Sequence, residues 1–264
     1  MAIETFNRYE RKFLIDKSTA KSIQDKLTNY MEPDEYNKNF EFYTIANLYL
    51  DTEDDYLIRR SLASPQYKEK LRIRAYGVPR EDELVYLEIK KKVSGFVNKR
   101  RTALKLKEVY DFINTGIKPK YKEYMNSQVL DELAYAFKIY KGLKIKTYIA
   151  YDRKAFFCKE DKNLRITFDT NIRTRRYDLK LENGDYGEKL IDNNKVLMEI
   201  KTASAIPFWL SMLLSERKIY PTSFSKYGTE YIKTRLNSYE TRKGESKTCS
   251  RQFLARQQLI PQYL

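Results

Sequence analysis

Histidine is absent from this chain, which removes the side chain most often used to move a proton near neutral pH. With it go the Ser-His-Asp and Cys-His nucleophile arrangements and every zinc site that contains an imidazole. Cys158 and Cys249 are the only cysteines, too few for a disulfide framework or a four-thiolate metal site, and they fit a reducing compartment. Glycine occurs 8 times. Neither Gly-x-x-x-x-Gly-Lys-Ser/Thr nor Gly-x-Gly-x-x-Gly is present, so a phosphate would have to be held by side chains rather than by a backbone loop. No apolar run approaches the roughly 20 residues of a membrane span, and the opening Met-Ala-Ile-Glu-Thr-Phe-Asn-Arg lacks a signal-peptide core. The expectation is a cytoplasmic protein whose chemistry runs on carboxylates, cations and a bound metal.

Positive charge is what the chain has in excess. Lys and Arg number 51 against 36 Asp and Glu, a formal charge of +15, which makes a polyanion the first partner to consider: nucleic acid, an anionic membrane surface or condensed phosphate. The 23 Tyr and 13 Phe suit a strand-rich folded domain. At this length one domain is expected over residues 1–237, followed by a basic tail over 238–264 that is flexible or docks elsewhere.

The charges are not scattered. In Lys-Leu-Arg-Ile-Arg-Ala-Tyr-Gly at 70–77, Arg72 and Arg74 stand two residues apart, so on a strand they share one face while Leu71, Ile73 and Ala75 take the other. The same construction recurs in Tyr9-Glu10-Arg11-Lys12-Phe13, Leu87-Glu88-Ile89-Lys90, Leu164-Arg165-Ile166-Thr167-Phe168-Asp169 and Met198-Glu199-Ile200-Lys201. A solvated sheet face also alternates, but it mixes in Thr, Ser and Gln, whereas these positions are almost entirely charged. Gathered inside a closed sheet they would line a tunnel, with cations for an anion and carboxylates for a metal.

Along the chain, the pattern predicts a strand over 5–15 with Arg8, Glu10 and Lys12 on one face, then a helix carrying Ile23, Leu27 and Tyr30. A strand over 40–51 leads into a short helix capped from Thr52-Glu53-Asp54-Asp55 and reaching about Leu62. Strands over 66–77 and 84–93 read as a hairpin. Lys99-Arg100-Arg101 reads as a basic loop, or as a cluster closing one tunnel mouth. Helices over 105–114 and 121–140 separate two strand-rich halves. The second half starts at Leu143, contains Tyr151-Asp152-Arg153, turns at Asn183-Gly184-Asp185 and ends in a strand over 196–202. Helices follow over 206–214 and from Ser223 to about Leu236. The tyrosines fall mostly at alternating apolar positions and are assigned to the core.

Phosphoryl transfer asks for cations spread over oxygens, a divalent metal bridging phosphates, and groups held in line. Arg72, Arg74, Arg153 and Arg165, with Lys12, Lys90, Lys201 and Lys226, suit a chain of phosphates. Glu10, Glu88, Asp169 and Glu199 are the candidates for Mg²⁺ or Mn²⁺.

Taken in order, these pieces, with Tyr151-Asp152-Arg153 and Phe224-Ser225-Lys226-Tyr227, resemble the VTC domain of polyphosphate polymerases, within the CYTH or triphosphate tunnel metalloenzyme superfamily. The resemblance implies an α+β fold in which an antiparallel β-barrel of about eight strands forms a charged tunnel with helices packed outside. It implies a metal-dependent transfer of the terminal phosphate of a nucleoside triphosphate, ATP foremost, to a growing polyphosphate chain. By that resemblance Arg72, Arg74, Lys90, Arg153, Arg165 and Lys201 are catalytic. Lys12, Ser225 and Lys226 join them in binding phosphate, and Glu199 is the first metal ligand. Arg8 stands where the superfamily's opening Glu-x-Glu-x-Lys has a carboxylate, which suits the polymerase branch better than a two-metal hydrolase. A tripolyphosphatase or nucleoside triphosphatase of the same fold, and a non-catalytic polyphosphate binder, are the alternatives. Nucleic acid is not expected as a partner, and a membrane protein is expected only to take the product onward.

Overall fold

Alternation of charged and apolar residues builds one large antiparallel sheet. The computed structural model describes residues 9–37, 41–94 and 96–243. Its elements in chain order are β1 (Tyr9–Asp16), α1 (Lys17–Leu27), β2 (Met31–Pro33), β3 (Tyr43–Asp51), α2 (Tyr56–Leu62), β4 (Tyr67–Tyr76), β5 (Leu84–Val93) and β6 (Phe96–Lys105). These are followed by α3 (Leu106–Thr115), α4 (Ser127–Ile139), β7 (Lys144–Cys158), β8 (Arg165–Arg175), β9 (Glu188–Lys189), β10 (Lys195–Thr202), α5 (Phe208–Glu216) and α6 (Lys226–Lys243). The order across the sheet is β1-β10-β8-β7-β3-β4-β5-β6, with β2 added to β7 and β9 to β8.

Two expectations need correction here. The sheet is not a closed barrel: its hydrogen-bonded path ends at β1 on one side and β6 on the other. Side chains bridge the seam instead. Lys90 on β5 reaches Glu10 on β1 at 3.1 Å, and Tyr9 meets Phe96 with ring centroids 6.3 Å apart. Contact between strands so far apart in the path means that the sheet curls around its charged face. An alternating pattern says which face turns inward, but not whether the edges reach ladder distance, which depends on strand number and stagger. The second correction is β6. Residues expected as a basic loop pair with β5 over their whole length, from Leu84 opposite Lys105 to Val93 opposite Phe96. This strand draws its order from that ladder and not from an apolar face, so periodicity did not reveal it. Arg8 lies outside the described residues, and α6 runs through the expected boundary at residue 237.

Register places opposite charges directly across from one another: Arg72 faces Glu88, Lys12 faces Glu199 and Glu10 faces Lys201, and Arg153 faces Asp169. On the outer face, α3 and α4 cover β3, β4 and β5 through Val109, Phe112, Leu130 and Leu133 against Leu48, Leu71, Ile73 and Leu87. Helices α1 and α5 cover β1, β8 and β10 through Ile23, Leu27, Leu210 and Leu213 against Phe13, Ile166, Phe168 and Met198. On the inner side, Tyr227 and Tyr231 of α6 and Ile58 of α2 pack with Ile45, Tyr49, Ile149, Tyr151 and Leu197. Among the described residues no helix is long and apolar enough to cross a membrane.

The junction of β3 and α2 holds α6 in place. Buried Asp51 accepts from the backbone N–H groups of Thr52 at 2.8 Å, Leu57 at 2.8 Å and Ile58 at 2.9 Å, and from the Tyr227 hydroxyl at 3.0 Å. Thr52 Oγ1 accepts from Tyr56 N–H at 2.9 Å. The free amides at the start of α2 are thus met by Thr52, as the sequence suggests, and also by Asp51 just before it. Asp51→Ala would strand buried donors and release Tyr227, a cost of about 2–4 kcal/mol. Urea denaturation should show a lower midpoint, and an unchanged midpoint would contradict this role.

Candidate anion-binding site

The inward charges form a connected set in which each carboxylate is shared among cations. Glu88, 1% exposed, accepts from Arg72 Nε at 2.8 Å and Lys99 Nζ at 2.9 Å. Burial pushes its carboxyl up, but Arg74, Arg72 and Lys99 outweigh burial and hold it well below the ordinary value. Asp169, fully buried, takes both Nε and a terminal nitrogen of Arg153 at 2.6 and 2.8 Å and Lys226 Nζ at 2.5 Å. Glu199 lies 3.3 Å from Lys201, 3.5 Å from Lys226 and 3.9 Å from both Lys12 and Arg153. It too is driven up by burial and held well below its ordinary value by Lys226, Lys201, Lys12 and Arg153. Glu10 pairs with Lys90 at 3.1 Å and Lys12 at 3.3 Å.

Neutral groups aim the arginines. Arg74 donates to Asn47 Oδ1 at 3.0 Å and to the Tyr151 hydroxyl at 3.2 Å, and Arg72 donates to the Tyr49 hydroxyl at 3.1 Å. Lys12 donates to the Phe224 carbonyl at 2.9 Å, and Lys70 to Ser225 Oγ at 2.8 Å. A cavity of about 100 Å³ opens among them. Of the expected site residues it is lined by Glu10, Lys12, Arg72, Arg74, Glu88, Lys90, Arg153, Glu199, Ser225 and Lys226. A wider cavity of about 1190 Å³ shares Arg74 and Arg153 with it and is lined by Arg165, which pairs with Asp34 at 2.8 Å. Asp169 and Lys201 line neither cavity: Asp169 sits behind Arg153 and Lys226, and Lys201 holds Glu199.

Tyr49 and Asn47 belong to the site although the sequence pattern does not single them out, whereas Lys70 and Tyr151 enter it from the quoted motifs and Lys99 from the cluster read as a basic loop or a tunnel-mouth closure. Lys70 and Lys99 each stand two residues from an expected or basic inward position on their strands. Burial, with Lys12, Lys90, Lys68 and Arg72 nearby, brings Lys70 down to about 7. Tyr151 shows the opposite balance. Burial would raise its phenol, but Arg74, Arg153 and Lys226 bring it down to about 8.

Among the described residues no group of three or more Asp, Glu or Cys is disposed to hold a metal ion. Glu10 and Glu199 remain a pair, close enough that Glu199 raises Glu10 while Lys90 and its neighbours lower it, and both touch Lys12. Mg²⁺ and Mn²⁺ commonly take one or two carboxylates and complete their shell from substrate phosphates and water, so this pair fits such an ion. Glu88 and Asp169 are already filled by cations.

A model of the VTC domain matches residues 7–234. Among solved structures, a candidate adenylate cyclase from Bacillus halodurans is similar in fold, with a TM-score of 0.53 and 16% identity over 84% of this chain and 96% of that one. A candidate adenylyl cyclase from Hippeastrum, with a dominant triphosphatase activity, aligns at a TM-score of 0.49 and 17% identity over 84% of this chain and 93% of that one. No curated protein matches the sequence.

A lysine whose pKa is lowered by folding destabilises the fold while it is charged. That penalty is fully present below about 7 and fades as pH rises toward the ordinary value of 10.5. Lys70→Met should therefore raise the melting temperature of the ligand-free protein near about pH 6, with the gain vanishing by about pH 10, and should weaken binding of inorganic tripolyphosphate. Thermal unfolding across pH tests this, and a variant less stable than the parent at pH 6 would contradict it.

Proposed function

Because this chain belongs to the VTC domain family, we propose that it is a metal-dependent polyphosphate polymerase that transfers the terminal phosphate of a nucleoside triphosphate, ATP foremost, to a growing polyphosphate chain. The observation that carries the reading is the inward row Lys70, Arg72 and Arg74, facing Arg153 and Lys226 across the same cavity. Each of these cations can offer an N–H to a phosphate oxygen.

The chemistry suits a site without histidine. The attacking atom is an oxygen at the end of a polyphosphate chain, already deprotonated at neutral pH, so no general base is required. A bond forms from that oxygen to the terminal phosphorus, and the bond to the nucleoside diphosphate breaks, the diphosphate leaving with the electron pair. Arg72, Arg74, Arg153, Lys90 and Lys226 would spread over the oxygens where charge is densest, with Arg165 at the wider cavity. Asp169 and Asn47 hold the arginines in position. Glu199 and Glu10 would hold Mn²⁺ or Mg²⁺, which would supply positive charge against the phosphates. We place the reaction in the cytoplasm, with any membrane-protein partner serving to take the product onward.

A hydrolase of the same site is the second reading, and one observation favours it: hydrolysis needs a proton acceptor for water, and Tyr151 lines the cavity with its hydroxyl against Arg74, which with Arg153 and Lys226 draws the phenol down despite burial. Incubation with ATP and Mn²⁺ separates the readings. Long polyphosphate, formed only with metal, is the expected product; free phosphate alone would mean a hydrolase, and salt-sensitive binding without turnover a binding protein. Glu199→Gln should abolish turnover while nucleotide binding is retained or tightened, one negative charge having been removed. A modest fall with an unchanged Mn²⁺ requirement would mean that Glu199 only orients its neighbouring cations and that Glu10 holds the ion without it.

A further inference from the structure

We infer that Tyr36, Tyr43, Tyr76 and Tyr86, gathered at the wide cavity, form a stacking subsite for the base of the nucleoside triphosphate whose phosphates lie on the adjoining arginine row. This rests on the functional reading above and extends it to the uncharged part of the substrate. Lys70, Arg72, Arg74 and Tyr76 succeed one another at every second residue of β4, so they share its inward face. At the usual strand rise, Tyr76 lies about 7 Å beyond Arg74 and about 13 Å beyond Arg72. The row changes from cation to aromatic where a bound nucleotide would change from phosphate to nucleoside.

The rings form one group. Tyr76 lies nearly parallel to Tyr36, with centroids 5.9 Å apart and 10° between planes, meets Tyr86 edge-on at 6.0 Å, and is 6.3 Å from Tyr43. The guanidinium of Arg101 lies 4.2 Å from the centre of Tyr86. The sequence pattern assigns such tyrosines to the core, yet Tyr36 is 61% and Tyr76 44% exposed. A large part of each is thus open rather than spent on packing. The wall is mixed in charge: Glu32 and Asp34 pair with Lys162 and Arg165, and Glu35 and Glu123 line it beside Arg74, Lys99, Arg101 and Arg153. Stacking, not charge, is what the ring cluster offers a ligand, and because every base has a π face, discrimination among bases should be modest.

The test compares ATP with inorganic tripolyphosphate, which has the phosphates and lacks the base, by calorimetric titration. Tyr76→Ala should weaken ATP binding by roughly tenfold or more and leave tripolyphosphate binding within about twofold, with Tyr76→Phe restoring ATP affinity. Equal loss of both ligands, or unchanged ATP affinity, would overturn the subsite. Tyr36→Trp guards against a fold defect, since the position is exposed: the introduced indole should be quenched by ATP and not by tripolyphosphate, and equal response to the two would overturn the proposal. If the unaltered protein bound neither ligand, the functional reading itself would fall and the subsite with it; tripolyphosphate bound as tightly as ATP by the unaltered protein would remove the subsite alone.

Discussion

Everything in this molecule depends on how like charges are kept together away from bulk water. Burying one unpaired charge is strongly unfavourable, and removing one partner of a buried pair typically costs several kcal/mol. The chain meets this constraint by sharing. Glu88 serves Arg72 and Lys99, Asp169 serves Arg153 and Lys226, and Glu199 stands among Lys12, Arg153, Lys201 and Lys226. Register does much of the work, because antiparallel pairing sets Arg72 opposite Glu88 and Arg153 opposite Asp169 before any side chain moves. The inward charges therefore add little net stability, and the fold is held by the apolar clusters beneath α3 and α4, beneath α1 and α5, and between α6 and the sheet.

The same sharing makes the site usable. A cation saturated by a dedicated carboxylate would have little to gain from a phosphate. Among the described residues Glu199 has four cations within 4 Å but none nearer than 3.3 Å, and Lys70 donates to the Ser225 hydroxyl while burial and neighbouring cations disfavour its charge. These loosely held groups face the cavity. The tightly held ones, such as Arg153 on Asp169, give it a fixed wall. A phosphate chain entering this space would relieve repulsion among the lysines while meeting arginines already aimed by Asn47, Tyr49 and Tyr151.

Much of this was legible in the sequence, because a period of two fixes which side of a strand each residue occupies. Arg72 with Arg74, Glu88 with Lys90 and Glu199 with Lys201 are placed by that rule alone. It is silent on whatever depends on the neighbouring strand or on the edges of the sheet. Periodicity could not show that β6 exists, since its order comes from pairing with β5, or that β1 and β5 meet through Lys90 and Glu10 instead of a ladder. Nor could it separate Asp169, which backs the wall, from Glu199, which faces the cavity, although both sit at charged alternating positions. Tyrosine misled for the same reason: Tyr76 continues the inward row of β4, and alternation cannot tell an inward ring that packs from one that is left open.

The account stands or falls on whether the inward cations receive phosphate. A crystal structure of the protein soaked with inorganic tripolyphosphate measures this most directly. Phosphates within hydrogen-bond distance of Arg72, Arg74 and Lys226, with Lys70 drawn from Ser225 toward them, are the predicted result. Tripolyphosphate bound only on the outer surface, with the pairs to Glu88, Asp169 and Glu199 undisturbed and the inner cavity free of ligand, would contradict it.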